Sequence, residues 1–255
     1  MQAWQPFYDP SLYEMRVGPG GRVAEVYVRL VGDTPLECLE FGCGTGEVAI
    51  ALARCRHKVT GVDRSSDMLC TAVHNASTLP LEQRERLSWY EGDMVSSDLG
   101  TKFDRVLLTN ELITHLLNDV SLINFFIRCL KHLKVGGSIL LDIPIIDLAS
   151  LSAATQPDGA YYVHGVFTLN ADGRSVWVAE QARFDPSTWT MTKTFEYKYI
   201  ASDGSVERIT FRELCQRPWT TQDIQFALKL AGLNKVKVVQ VAEDITHTFL
   251  QAFRE

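Results

Sequence analysis

The sequence predicts an α/β protein: a mostly parallel sheet covered by helices, closed by an antiparallel hairpin, with a second antiparallel sheet inserted late in the chain. Three observations predict it. From residue 36 to 143, short Val/Ile/Leu-rich runs alternate with helix-spaced segments, the pattern of a sheet buried on both faces. After Pro144 the period shifts to near alternation, broken at AspGly172–173, AspProSerThr185–188 and AspGly203–204, which are hairpin turn chemistries. At 220–253 a helix is followed by two strands with only a tight turn between them, so those strands must pair antiparallel.

Taken in order, LECLEF (36–41) is a strand ending in glycines, and GEVAIALARC (46–55) has helical spacing. HKVTGVD (57–63) is a strand that stops at a carboxylate, DMLCTAVHNAS (67–77) a helix, and RLSWYEGD (86–93) and FDRVLLTN (103–110) are further strands. A long helix is expected over roughly 117–134, closed by Lys134 and the Gly136-Gly137 pair, before the strand SILLDI (138–143). The inserted sheet reads YYVHGVFTL, RSVWVAEQARF, TWTMTKTFEYKYI and VERITFREL. In its third strand Trp189, Met191, Phe195, Tyr197 and Tyr199 share one face, expected to be buried against the main domain or a ligand. TTQDIQFALKLAGL (220–233) has a Thr cap, Asp223 near the third helical position and a terminal Gly232; VKVVQVAED (236–244) and THTFLQAF (246–253) follow as strands.

Composition sets outer limits. The 255 residues suit one large domain or a core domain with an insertion, and 46% hydrophobic with 22% charged residues is ordinary for a globular chain. No run is apolar enough to span a bilayer and MQAWQPFYDP lacks the signal-peptide pattern, so a cytoplasmic protein is expected. Six cysteines without CxxC pairs argue against zinc or any other metal and against a disulfide framework. A net charge of −6 with no Lys/Arg cluster disfavours a nucleic-acid partner.

Gly42-Cys43-Gly44-Thr45-Gly46 falls between strand and helix, where bare backbone can approach a ligand. A dinucleotide usually wants Gly-x-Gly-x-x-Gly, and here the third glycine comes one position early. Carboxylates then close successive strands. Asp63 is placed to accept from a ribose diol and would repel a 2′-phosphate; Asp93 could accept from an adenine amino group while the Met94 backbone reads the ring edge.

On these residues the chain resembles the class I S-adenosylmethionine-dependent methyltransferases over essentially its whole length. LEFGCGTG is similar to that family's first motif, with Glu40 as its acidic residue; GVDRSSDML resembles the second, EGDM the third and FDRVLLTN the fourth. LKVGGSILLDI and the closing hairpin complete the pattern, and dehydrogenases lack that hairpin. The resemblance implies a Rossmann-like sheet at 35–154 and 218–255, an N-terminal helical cover at 1–34, and an antiparallel β lid at 155–217. It also implies S-adenosylmethionine as cofactor, held by Glu40, Gly42, Cys43, Gly44, Gly46, Asp63, Arg64, Met68, Asp93, Met94 and Asn110.

FYDPSLYEMRVGPGGRVAEVY (7–27) is further similar to the N-terminal segment of glycine N-methyltransferase and of macrolide amino-sugar N-methyltransferases. Carried over, Tyr8, its neighbour Phe7 or Tyr13 would approach the sulfonium, and Arg22 would bind the methionine carboxylate. Glu111 is read either as a proton acceptor or holder of a cationic amine, or as a solvated helix-entry carboxylate. His115 is read as catalytic or structural, because it lies one residue further from the asparagine than in the relatives. Trp177, His164 and Trp219 are candidates to line a substrate pocket, whereas Cys43 reads as a small filler. The expected partner is a small-molecule methyl acceptor, with monomer and homodimer both open. N-methylation of an amine or nitrogen heterocycle is the leading expectation, in its narrowest form a toxoflavin-type azapteridine. O-methylation, a nicotinamide-dependent dehydrogenase and a non-catalytic cofactor-binding module are the rivals.

Overall fold

A computed structural model of the chain describes residues 9–17, 22–169, 173–239, 241 and 246–255, with residues 16, 17 and 22 described by backbone alone. In chain order the elements are α1 Pro10–Val17, α2 Arg22–Val31, β1 Glu37–Phe41, α3 Glu47–Arg54, β2 Lys58–Asp63, α4 Ser66–Ala76, α5 Leu81–Arg84 and β3 Leu87–Glu91. There follow β4 Phe103–Leu108, a 3₁₀ turn Leu112–His115, α6 Asp119–Lys131, β5 Leu133–Pro144, α7 Leu148–Ala154, β6 Ala160–Thr168 and β7 Ser175–Asp185. The chain closes with β8 Thr190–Ile200, β9 Val206–Gln216, α8 Thr221–Leu230, β10 Lys235–Val239 and β11 His247–Phe253. They form two compact units.

The larger unit carries a seven-stranded sheet in the order β10-β11-β5-β4-β1-β2-β3, parallel except where β11 pairs antiparallel with β5 and with β10. Strand alternation divides its core into two faces. Leu39, Phe41, Val106, Leu108, Ile139 and Leu141 pack with Phe125 and Phe126 of α6 and Leu228 of α8. Cys38, Leu107 and Leu140 face the other way, against Tyr27 and Val31 of α2 and Val48 and Leu52 of α3. The Trp219 indole N–H donates to the carbonyls of Ile113 and Leu116, each at 3.1 Å, and so fixes the 3₁₀ turn from beneath.

The expected helix over 117–134 is shorter. Asn118 caps it, its Oδ1 accepting the Ser121 amide at 2.9 Å, and it ends at Lys131 with His132 as C-cap. Lys134 and the glycine pair belong to β5. The β4–β5 register shifts between Phe103 and Arg105, and Gly136 donates its amide to the Arg254 carbonyl at 2.9 Å. A Cβ on Gly137 would lie 2.9 Å from the Lys134 carbonyl oxygen and 3.0 Å from that of Asp104, so the pair serves a strand bulge and not a helix end. Lys134 Nζ instead reaches Glu37 at 2.9 Å and Asp104 at 3.2 Å.

The expected cap on α8 is present in full. Thr220 Oγ1 accepts the Asp223 amide at 3.2 Å and Asp223 Oδ2 accepts the Thr220 amide at 3.0 Å. Thr220→Ala should cost about 1 kcal/mol, read as a lower urea midpoint at unchanged slope; an unmoved midpoint would deny the box any stabilising role.

The smaller unit is a four-stranded antiparallel meander, β6-β7-β8-β9, with α1 and α7. Phe195, Tyr197 and Tyr199 are buried with Val176, Val178 and with Leu12 and Met15 of α1. The five-residue face expected over 189–199 is therefore shorter than its alternation suggests. Trp189 precedes the strand in a left-handed conformation, φ 56°, and donates its indole N–H to the Pro218 carbonyl at 2.9 Å. Met191 packs against a separate cluster around Leu151, Ala182 and Phe184.

Candidate functional site

In a sheet of this order the chain reverses between β1 and β4, and ligands bind outside the carboxyl ends of strands flanking such a switch point. The glycine loop leaves β1 there. Gly42, Gly44 and Gly46 have φ of 64°, 53° and 84°, a left-handed series that side chains resist. Gly46 is the N-cap of α3 and offers no side chain to its amides, so the positive end of the helix dipole stands at the loop without a capping side chain from Gly46. A Cβ on Gly46 would meet the Trp89 ring at 2.8 Å, and one on Gly61 would meet Trp89 at 2.7 Å and Cys43 Sγ at 2.8 Å. Trp89 thus fills the space beneath the loop.

Asp63 braces the loop from the next strand. Its Oδ2 accepts the Gly44 amide and its Oδ1 the Ser65 amide, both at 2.9 Å. Burial raises its pKa, and the backbone donors draw it partly back. Asp93 accepts the Val95 amide at 2.8 Å and lies 3.8 Å from Arg64. Glu40 is 1% exposed beneath the loop; its Oε1 accepts the Thr109 hydroxyl at 2.8 Å, while Oε2 has no hydrogen-bond partner. Burial pushes its carboxyl up to about 8, with Thr109 and the Ala49 amide opposing. Burial likewise raises the Cys43 thiol, with Glu40 and Asp63 adding to the effect, which disfavours its thiolate.

β4 leaves the sheet through a corner of two consecutive left-handed residues, Asn110 at φ 55° and Glu111 at φ 59°. Asp142, fully buried in β5, accepts the Glu111 amide at 2.8 Å through Oδ2 and the Tyr27 hydroxyl at 2.6 Å through Oδ1. The Glu111 carboxylate in turn lies 3.0 Å from His247 Nε2. Sequence reasoning missed Thr109, Tyr27, Asp142, His247 and Trp89. One signal was available: Asp142 is a lone carboxylate inside the apolar run SILLDI.

The remaining candidates are dispersed. Met68 is buried in the core and its amide donates to Ser65 Oγ at 3.3 Å; Met94 packs partly buried on the α6 side. His115 ends the 3₁₀ turn, half-buried. Tyr13 lies in α1 of the smaller unit. Tyr8 and Phe7 lie outside the described residues, as does the side chain of Arg22, whose backbone opens α2. Of the three substrate-lining candidates, Trp219 belongs to the larger unit and His164 and Trp177 to the smaller. Trp219 is 1% exposed with its N–H committed to the core. His164 stacks on Phe195 and lies 3.2 Å from Glu180, whereas Trp177 points to the opposite face beneath Lys198 Nζ at 4.1 Å.

Glycines, strand-end carboxylates and a closing antiparallel hairpin define this larger unit as a Rossmann-like methyltransferase sheet. Residues 38–137 match the methyltransferase domain family. A putative methyltransferase of Geobacillus sp. (strain WCH70) is 32% identical over 105 residues, 41% of each chain. The chain spans about two-fifths of the length of the first curated relatives it matches. Among solved structures, Streptomyces venezuelae DesVI has a TM-score of 0.74 at 18% identity with 100% of both chains covered. The sugar N-methyltransferase KedS8 from Streptoalloteichus sp. has 0.71 at 22%, covering 96% of this chain and 92% of its own. No helix among the described residues is long and apolar enough to cross a membrane, and none of their acidic, His or Cys side chains cluster as a metal site.

The residues fit the cofactor this family uses. A Cβ at Gly42 would run into Leu112 and one at Gly46 into Trp89, so the loop admits only glycine at both points, and the orphaned Glu40 Oε2 beneath it suits an ammonium or amide donor. Asp63 and Asp93 suit hydroxyl and amino donors.

Proposed function

We propose that the chain transfers a methyl group from S-adenosylmethionine to nitrogen in a small molecule of natural-product metabolism. The observation that carries this is the series of Glu40, the left-handed glycine loop, Asp63 and Asp93 along adjacent strand ends. The cofactor supplies an electrophilic methyl group on sulfur with its leaving group already activated. What the protein must add is orientation and exclusion of water. The glycine-loop amides and Glu40 hold the amino-acid tail, Asp63 the ribose and Asp93 the adenine edge. Asn110 and Glu111, at the end of β4, face the acceptor; Glu111 takes the proton that a methylated amine gives up. Nitrogen is preferred over oxygen because KedS8, similar over nearly the full chain, is a sugar N-methyltransferase. An amino sugar or a nitrogen heterocycle of the azapteridine type is the acceptor class we favour.

Asp63→Ala should weaken S-adenosylhomocysteine binding at least tenfold, about 1.4 kcal/mol, by calorimetry. An unchanged affinity in the folded variant would refute the cofactor placement. Binding of NAD in place of S-adenosylhomocysteine would establish a dehydrogenase instead. Mass spectrometry of products from a panel of paired amino and hydroxy acceptors decides the accepting atom; methylation of hydroxyls alone would overturn the nitrogen assignment.

A further inference from the structure

We propose that Asp142 is a positioning residue for the acceptor side of the site, its buried carboxylate locking the left-handed Asn110–Glu111 corner and, through it, the Glu111–His247 pair. The inference rests on the methyl-transfer reading above, which gives the corner its neighbour. Four separate elements meet at this point: α2 brings Tyr27, β5 Asp142, the end of β4 Glu111, and β11 His247. Asp142 lies one residue past the last β4–β5 pair, Leu108 with Leu141, and so stands directly beside the exit of β4.

A purely structural purpose explains this poorly. Two successive residues with Cβ atoms in the left-handed region are strained, and such strain persists only where surroundings enforce it. A fully buried carboxylate is also costly in itself. Here the costly group satisfies the very amide that the strained corner presents, and the Glu111 side chain is thereby turned toward His247. The Tyr27 hydroxyl, 3.1 Å from the Leu108 carbonyl, ties the same carboxylate back to β4. The groups facing Asp142 are Tyr27, Glu111 and His247, with Glu40 acting on Tyr27 from β1. Burial pushes the Asp142 carboxyl up to about 6, with Glu111 raising it and His247 and the two hydrogen bonds lowering it.

The test uses the full-length chain with S-adenosylhomocysteine as probe, beside the transfer reaction that the wild type gives with its best panel acceptor. An amide bonded to a carboxylate reports that group's titration, so the Glu111 amide proton should shift as pH crosses about 6. In Asp142→Asn it should be pH-independent. The asparagine carbonyl can still accept from Glu111 and its amide can donate to Tyr27, so turnover should stay within about fivefold of wild type. Asp142→Ala should lower kcat at least thirtyfold while S-adenosylhomocysteine affinity stays within threefold. If that variant does not fold, the amide titration and Tyr27→Phe, expected to lose about fivefold in kcat, carry the test. A Glu111 amide that ignores pH, a wild-type kcat in Asp142→Ala, or a tenfold loss of cofactor affinity in Asp142→Asn would each overturn the proposal. A wild type that binds no S-adenosylhomocysteine sinks the methyl-transfer reading instead, and the amide titration still judges the lock on the corner.

Discussion

Gly46→Ala is expected to weaken S-adenosylhomocysteine binding at least a hundredfold, about 2.7 kcal/mol, in calorimetry. Two effects combine. At φ 84° any residue with a Cβ is strained, by roughly 1–2 kcal/mol. The new Cβ also lies 2.8 Å from the Trp89 ring and 3.1 Å from Ala72 Cβ. Trp89 has little room to retreat, because the same ring already lies where a Cβ on Gly61 would be 2.7 Å away. Relief must therefore come from the loop, which tilts the amides at the start of α3 away from their ligand. Gly100→Ala separates the two effects. Its φ is 62°, but nothing lies within 4 Å of the added carbon. That variant should lose about 1 kcal/mol of stability and no cofactor affinity. If Gly46→Ala binds as the wild type does, the loop does not hold the cofactor.

What the sequence disclosed and what it hid divide by distance along the chain. The glycine loop, the strand-end carboxylates and the Thr220 cap are local patterns, and each forms where the sequence places it. The corner network is assembled from Tyr27 and Asp142, 115 residues apart, and from Glu111 and His247, 136 apart, so no window of sequence contains it. Lys134 and the following glycines carry a valid helix-end signal that strand pairing with β4 and β11 overrides. His164 and Trp177 are candidates by residue type alone, which carries no information on the face a side chain takes. In the sheet His164 lies beside Glu180 and Phe195, and Trp177 falls on the opposite face.

Glu40 should make cofactor binding depend on pH, with an effect nearly as large as that of Gly46. Because its carboxyl is pushed up to about 8, it is mostly protonated at pH 7 before ligand arrives. A raised carboxyl pKa favours the folded state fully below its unfolded value near 4.5, and that contribution is lost as pH rises through about 8. An ammonium seated at the orphaned Oε2 reverses the preference and ionises the group. Binding S-adenosylhomocysteine near pH 7 should then release close to one proton, visible as a binding enthalpy that varies with the buffer's ionisation enthalpy. Affinity should rise between pH 6 and 8, by up to about tenfold per unit, since less work is needed to remove the proton. Glu40→Gln keeps an oxygen that can accept from Thr109 but cannot ionise. It should flatten that pH dependence, abolish the proton release and weaken binding at pH 8 by at least thirtyfold. A wild type that binds without exchanging a proton, equally at pH 6 and 8, would mean that no cationic group meets Glu40 and that the amino-acid tail lies elsewhere.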